Sequence, residues 1–163
     1  MEFLDIVNEN DEVIGKASRK EVYEKRLDHR IVHIILFNDK GEMALQLRSR
    51  RISFCPHHWG TPVGGHVQSG ESYEEAALRE FKEELGTAAK ISFAYKDLYN
   101  DPRGLRKFLV TFRTVFNGPF NINSKEVEKM EYFSLDKIQD IINSGEKFHP
   151  ELLFLLRKHF KIK

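Results

Sequence analysis

A chain of 163 residues with 40% apolar and 31% charged residues is long enough to bury a core and leaves no room for a second folded domain, so 1–163 reads as one domain. Lys and Arg (26) balance Asp and Glu (25) at a net charge of +1, which excludes a strongly basic nucleic-acid binder or a polybasic membrane-surface protein. One cysteine, Cys55, excludes an internal disulfide, and there is no signal-type apolar stretch or apolar run of about 18 residues, so a reducing cytoplasm is the expected setting.

In chain order, EFLDIVN and EVIGKA read as an opening hairpin around Asn10 and Asp11, and SRKEVYEKR as a short helix N-capped by Ser18. RIVHIILFN and EMALQLRS are two strands joined by the Gly-containing turn DKG. After an acidic helix, KISFAYKDLYN and LRKFLVTFRTVF pair across DPRG. Phe108, Val110, Phe112 and Phe116 alternate onto one face, the periodicity of a strand with one buried side. VEKMEYFS is a last strand. SLDKIQDIINSG, capped by Ser134 and ended by Gly145, and PELLFLLRKHF read as helices. Strands alternating with helices predict an α/β chain, its mixed sheet sandwiched between helices.

The segment GGHVQSGESYEEAALREFKEELG, residues 64–86, carries most of the chemistry. Ser72 and Glu75 form a capping box, so a helix starts near Tyr73, and Gly86 stands where a left-handed residue ends it. Ala77, Leu78, Phe81 and Leu85 supply the buried stripe, while Glu80, Glu83 and Glu84, at i, i+3 and i+4, share a neighbouring face. Like charges at those spacings repel one another unless something cationic sits among them. A hard divalent cation such as Mg²⁺ or Mn²⁺ takes oxygen ligands and shares its shell with phosphates, so a fixed set of carboxylates suits a metal-diphosphate complex. A merely solvated acidic face is the alternative reading of the same residues.

Gly65, five residues, Glu71, seven residues, then Arg79-Glu80-Phe81-Lys82-Glu83-Glu84-Leu85-Gly86 resembles the Nudix box, the signature of the Nudix hydrolase superfamily. Phe81 is a bulky version of the apolar position after Arg-Glu, and Thr87 replaces the apolar residue after the final glycine. The resemblance implies a Nudix-type α/β/α sandwich in which the box forms a loop-helix-loop. It implies Glu80, Glu83 and Glu84 as ligands of Mg²⁺ or Mn²⁺, joined by the carbonyl of Gly64. It also implies a catalytic set of Glu80, Glu83 and Arg79, with Glu80 a candidate base, and structural roles for Gly65, Glu71 and Gly86, Arg79 pairing with Glu71. The implied reaction is hydrolysis of a diphosphate linkage in a nucleoside diphosphate derivative.

HRIVHIILFNDKGEMALQLRSRR followed by WGTPVGGHVQSGES resembles the branch of the superfamily that contains isopentenyl-diphosphate isomerases. That enzyme has a Cys-Gly-His run; here the run is Gly64-Gly65-His66, so the thiol is missing. Its two strand glutamates are missing as well, since this chain places Lys107, Phe108 and Leu109 in the matching stretch. His29 and His66 alone make a poor site for a hard cation. A non-catalytic nucleotide binder is the third reading, and there the helix acids are expected to be replaced by neutral residues; all three are present.

Outside the box, Arg50 among the cluster Arg48, Arg50 and Arg51 is a candidate phosphate contact, and Glu126 and His66 are candidate substrate contacts. Trp59, Phe54, Tyr99 and Phe108 read as core aromatics more readily than as base-stacking ones, and Cys55 as an inert thiol. The expected partner is a small-molecule diphosphate, neither nucleic-acid polymer nor membrane, with a homodimer through the N-terminal strands left open.

Overall fold

The computed structural model, which describes residues 2–163, contains every element that alternation and capping predict and adds two short strands. The strands hydrogen-bond as a separate β1-β2 pair and as a larger sheet in the order β5-β4-β3-β8-β7, with β6 on β3 and β9 on β4, where β1 is Phe3–Val7, β2 Val13–Ser18, β3 His29–Phe37, β4 Met43–Arg48, β5 Trp59–Gly60, β6 Val63–His66, β7 Ser92–Asn100, β8 Arg106–Val115 and β9 Val127–Phe133. The helices are α1 Arg19–Lys25, α2 Tyr73–Leu85, α3 Leu135–Asn143 and α4 Pro150–His159. The chain is therefore α/β. Its contacts separate it into two units, residues 2–34 with 63–113 and residues 35–62 with 114–163, so that β3 and β8 each contribute to both.

In the first unit, β1 and β2 pair antiparallel from Phe3↔Ser18 to Val7↔Val13. Their turn is closed by Asn8, whose Oδ1 accepts from the backbone of Asn10 (2.9 Å) and Glu12 (3.0 Å), with Asp11 in the left-handed region at φ 60°. Ser18 then caps α1 by accepting from Glu21 N, and Leu4, Ala17 and Val22 close a small core between hairpin and helix. β7 and β8 form an antiparallel hairpin from Ser92↔Arg113 to Asn100↔Arg106. Phe108, Val110 and Phe112 are buried, but so are Lys107, Leu109 and Thr111 on the opposite face, so β8 is covered on both sides instead of the one that alternation predicts; Phe116 lies one residue past its end.

β6 went unanticipated because its sequence, Val-Gly-Gly-His, has weak strand propensity. It forms by pairing along β3, Ile31↔His66 through Ile34↔Val63. This pairing fixes the backbone at Gly64 and Gly65, ahead of the loop that leads into the acidic helix.

The second unit carries its own apolar core, in which Leu45, Leu47 and Trp59 meet Ile138, Leu152 and Leu156. Burial of such side chains contributes roughly 1.5–3 kcal/mol apiece. β9 runs antiparallel along β4, and the two-residue β5 is held at Trp59 N by Lys147 O (2.9 Å) and at Trp59 O by His149 N (2.7 Å). Ser134 caps α3 as predicted, while α3 closes at Ser144 with Gly145 next in the left-handed region at φ 91°.

Candidate active site

The acidic helix is built as its sequence dictates. Ser72 Oγ accepts from Glu75 N at 3.1 Å and the Glu75 carboxylate accepts from Ser72 N at 3.0 Å, a complete capping box. At the other end Gly86, at φ 72°, donates its N–H to Lys82 O. Ala76, Ala77 and Phe81 face the interior. Leu78, expected in that stripe, is 37% exposed instead, because the inward face runs through positions 77 and 81 and carries Ala76 with it.

Arg79 organises the carboxylates. Its Nε and Nη2 donate to the two oxygens of Glu71 at 2.7 and 2.9 Å, a fork on a carboxylate, while Nη1 donates to Glu80 at 2.9 Å and Nη2 to the carbonyl of His66 at 3.1 Å. A longer contact, 3.4 Å, reaches Glu83. The Glu71 hydrogen bonds, ahead of those to Glu80, hold the Arg79 guanidinium above its usual pKa range. Burial pushes the Glu71 carboxyl up, but Arg79 and the N–H of Gln68 outweigh it and hold the group below its ordinary value. The guanidinium is the cation that lets so many acids share one short segment.

Glu80 has the opposite balance. Burial pushes its carboxyl up to about 7, Arg79 draws it back down, and Glu83 and Glu84 push it up again. Its carboxylate lies against Gly65, where a Cβ would stand 2.6 Å from Glu80 Cδ, so only glycine leaves it that room. Glu83 and Glu84 lie one turn further on, on the exposed side of the helix. Among the described residues no group of three or more His, Cys, Asp or Glu side chains is gathered closely enough to hold a metal ion. The donor chemistry nevertheless fits a hard divalent cation, since carboxylate oxygens and a backbone carbonyl are what Mg²⁺ and Mn²⁺ take.

The remaining candidates fall in two places. His66 sits at the end of β6, sharing a 2.6 Å hydrogen bond with the Tyr23 hydroxyl and stacked on His29 at 5.6 Å between ring centroids. Lys107 joins them, its Nζ 5.5 Å from the centroid of Tyr23. Gly64, in β6, pairs with His33 of β3. Arg50 and Glu126 belong to the second unit, both exposed: Arg50 lies 3.3 Å from His57, and the Glu126 carbonyl accepts from Ser49 N at 2.9 Å. Trp59 is buried, donating to Glu146 at 3.1 Å, and Tyr99 and Phe108 are buried too; Phe54 is exposed beside Arg48. Sequence reasoning missed Asp5, Asp11 and Tyr23, whose partners lie dozens of residues away and leave no local signal.

Comparison with known proteins places this geometry in a family. Residues 27–156 match the NUDIX domain. The Nudix hydrolase YfcD of Salmonella typhi is 35% identical over 138 residues, covering 84% of this chain and 74% of the relative. A Nudix hydrolase of Pseudomonas aeruginosa, PA4841, is 31% identical over 131 residues, covering 80% and 78%. The crystal structure of DR0079 from Deinococcus radiodurans superposes with a TM-score of 0.81 at 30% identity, covering 96% of this chain and 98% of that one. The chain therefore belongs to the Nudix superfamily and is a Nudix hydrolase.

Proposed function

We propose that this protein hydrolyses a diphosphate linkage in a nucleoside diphosphate derivative, a nucleoside di- or triphosphate or a similar compound, with Mg²⁺ or Mn²⁺ as its cofactor. One observation carries the reading: the Glu71–Arg79–Glu80 chain of hydrogen bonds, which holds a half-buried carboxylate against Gly65. Glu80, Glu83, Glu84 and the Gly64 carbonyl would hold the cation. When bound, such a cation offsets charge on the phosphate oxygens and acidifies water.

The chain's own groups supply the rest. Glu80, in its ionised form, would take up the proton of an attacking water. Arg79 holds that carboxyl in place through Nη1 while its other nitrogens anchor to Glu71 and to the His66 carbonyl. Arg50, Glu126 and His66 are the proposed substrate contacts, and the reading groups the chain with hydrolases of the branch resembling isopentenyl-diphosphate isomerases. With glycine at position 64 there is no thiol there to move a proton at an allylic carbon. The partner is a small diphosphate. No helix among the described residues is long and apolar enough to cross a membrane. A homodimer would use the outer strand β2, where Val13 and Ile14 are 52% and 66% exposed; light scattering of the purified protein decides it.

The test is release of phosphate and nucleotide from nucleoside di- and triphosphates, ADP-ribose, NADH, CoA and isopentenyl diphosphate, with and without Mg²⁺ or Mn²⁺, beside Glu83→Gln. Metal-dependent cleavage that disappears in the variant is the expected result. Isomerised isopentenyl diphosphate, or a nucleotide bound and left intact, would overturn the reading.

A further inference from the structure

Two buried aspartates of the β1–β2 hairpin hold the loop that leads into α2. Asp5 is 8% exposed, and its two oxygens accept from Ser69 Oγ at 2.8 Å and Gly70 N at 3.1 Å. Beside it the backbone continues the contact: Leu4 bridges Gln68, and Ser69 N donates to Phe3 O at 2.8 Å. At the far end of the hairpin the Asp11 side chain, 5% exposed, accepts from the Tyr73 hydroxyl at 2.7 Å, and Tyr73 is the first residue of α2. Arg30 Nε and Lys96 Nζ donate to the same carboxylate at 2.7 and 2.6 Å, and both cations lie over the Tyr73 ring. Burying a carboxylate is costly unless its partners are placed to meet it, so each of these contacts is a specific fit.

We propose that the hairpin is a positioning clamp for the carboxylates of the box. It lies outside the matched domain, which begins at residue 27. It grips the loop 68–73 at both ends, and that loop transmits the grip: Gln68 N donates to Glu71 at 2.8 Å, Glu71 anchors the Arg79 fork, and the fork holds Glu80. Asp5 and Asp11 touch neither substrate nor cation; they act through Glu71 and through the first turn of α2. The inference rests on the reading of Glu80, Glu83 and Glu84 as the metal-binding set.

The test uses the full chain with Asp5→Asn and Asp11→Asn, backed by the milder Ser69→Ala and Tyr73→Phe, which remove only a hydroxyl from each grip. Leu152→Ala, a change in α4 within the apolar core of the second unit and at none of the clamp residues, controls for a general loss of stability. Two readouts are taken: amide hydrogen exchange at residues 68–73 without metal, and affinity for Mn²⁺ from the spin-resonance signal of the free ion. Exchange at 68–73 is expected to accelerate about tenfold, the scale of one lost charge-assisted hydrogen bond, while β7 and β8 keep their rates. Mn²⁺ affinity is expected to fall about tenfold, as when groups that orient metal ligands are removed. Unchanged exchange and unchanged affinity in the folded variants overturn the clamp, and so does the same pattern in Leu152→Ala. If the unaltered protein binds no Mn²⁺, the metal reading fails and the exchange data alone decide the clamp.

Discussion

The Glu80 carboxyl occupies the space that a side chain at Gly65 would fill, with Glu80 Cδ 2.6 Å from the position of a Cβ there. The residue before the loop and the residue in the second turn of α2 are therefore one steric unit. Gly65 has no left-handed φ to explain its identity. Its smallness is what the carboxylate requires.

Gly65→Ala should consequently displace Glu80. Because Arg79 holds that carboxylate at 2.9 Å, it cannot swing away freely, and overpacking of this kind costs about 1–3 kcal/mol. Metal-dependent turnover should fall further than the loss of folded protein explains. Urea unfolding beside the hydrolysis assay checks this; a variant with lowered stability and normal turnover contradicts it.

Arg79→Lys keeps the charge and removes the fork. A lysine ammonium cannot reach both Glu71 oxygens, Glu80 and the His66 carbonyl together, so two half-buried carboxylates lose their partner. The expected cost is about 2–4 kcal/mol. In a double-mutant cycle with Glu71→Gln the two effects should fall short of additivity by about 1 kcal/mol or more. Additive losses would show that the pair does not act as a unit.

Much of this architecture was legible because its signals are local. Ser18, Ser72 with Glu75, and Ser134 announce helix starts through bonds spanning three residues, and Phe108, Val110 and Phe112 announce a strand by alternation. β5 and β6 were not legible, because two residues at Trp59–Gly60 and the glycines of Val63–His66 carry no periodicity; β6 exists through its pairing with β3. Leu78 shows the other limit, since a helical stripe fixes a direction only to within a neighbouring position. The resemblance to the Nudix box implied that Arg79 pairs with Glu71, and the two meet at 2.7 Å. Asp5 and Asp11 told nothing: their partners lie 64 and 62 residues on, and an aspartate near a hairpin turn has an ordinary explanation in the turn itself.

Gly86 tests the end of the same helix. At φ 72° a side chain meets its own backbone, while nothing else lies within 4 Å of a Cβ there, so the cost is conformational alone. Gly86→Ala should lower stability by about 1 kcal/mol and Gly86→Asn by less, as asparagine tolerates the left-handed region. Thermal melts of the two variants give the order; equal losses would point to a packing role instead.

Acid should expose the contribution of Asp11. Burial pushes its carboxyl up, but hydrogen bonds from Lys96, Arg30 and Tyr73 outweigh that and hold it below the ordinary value of 3.8. The unfolded chain therefore takes up this proton at a higher pH than the native protein does, and stability from the group is fully present above 3.8 and lost as pH falls through the lowered native value. Asp11→Asn has no such proton to bind. At neutral pH it should be less stable than the unaltered protein by about 3 kcal/mol, since two cations and a hydroxyl lose a buried charged partner. Below about pH 4 the two unfolding free energies should converge, because only the aspartate form loses stability from this site as acid protonates it. Urea titrations of both proteins from neutral pH to about pH 2.5 measure the gap directly. A gap that stays constant with pH would mean that Asp11 stabilises the fold by its shape and not by its charge.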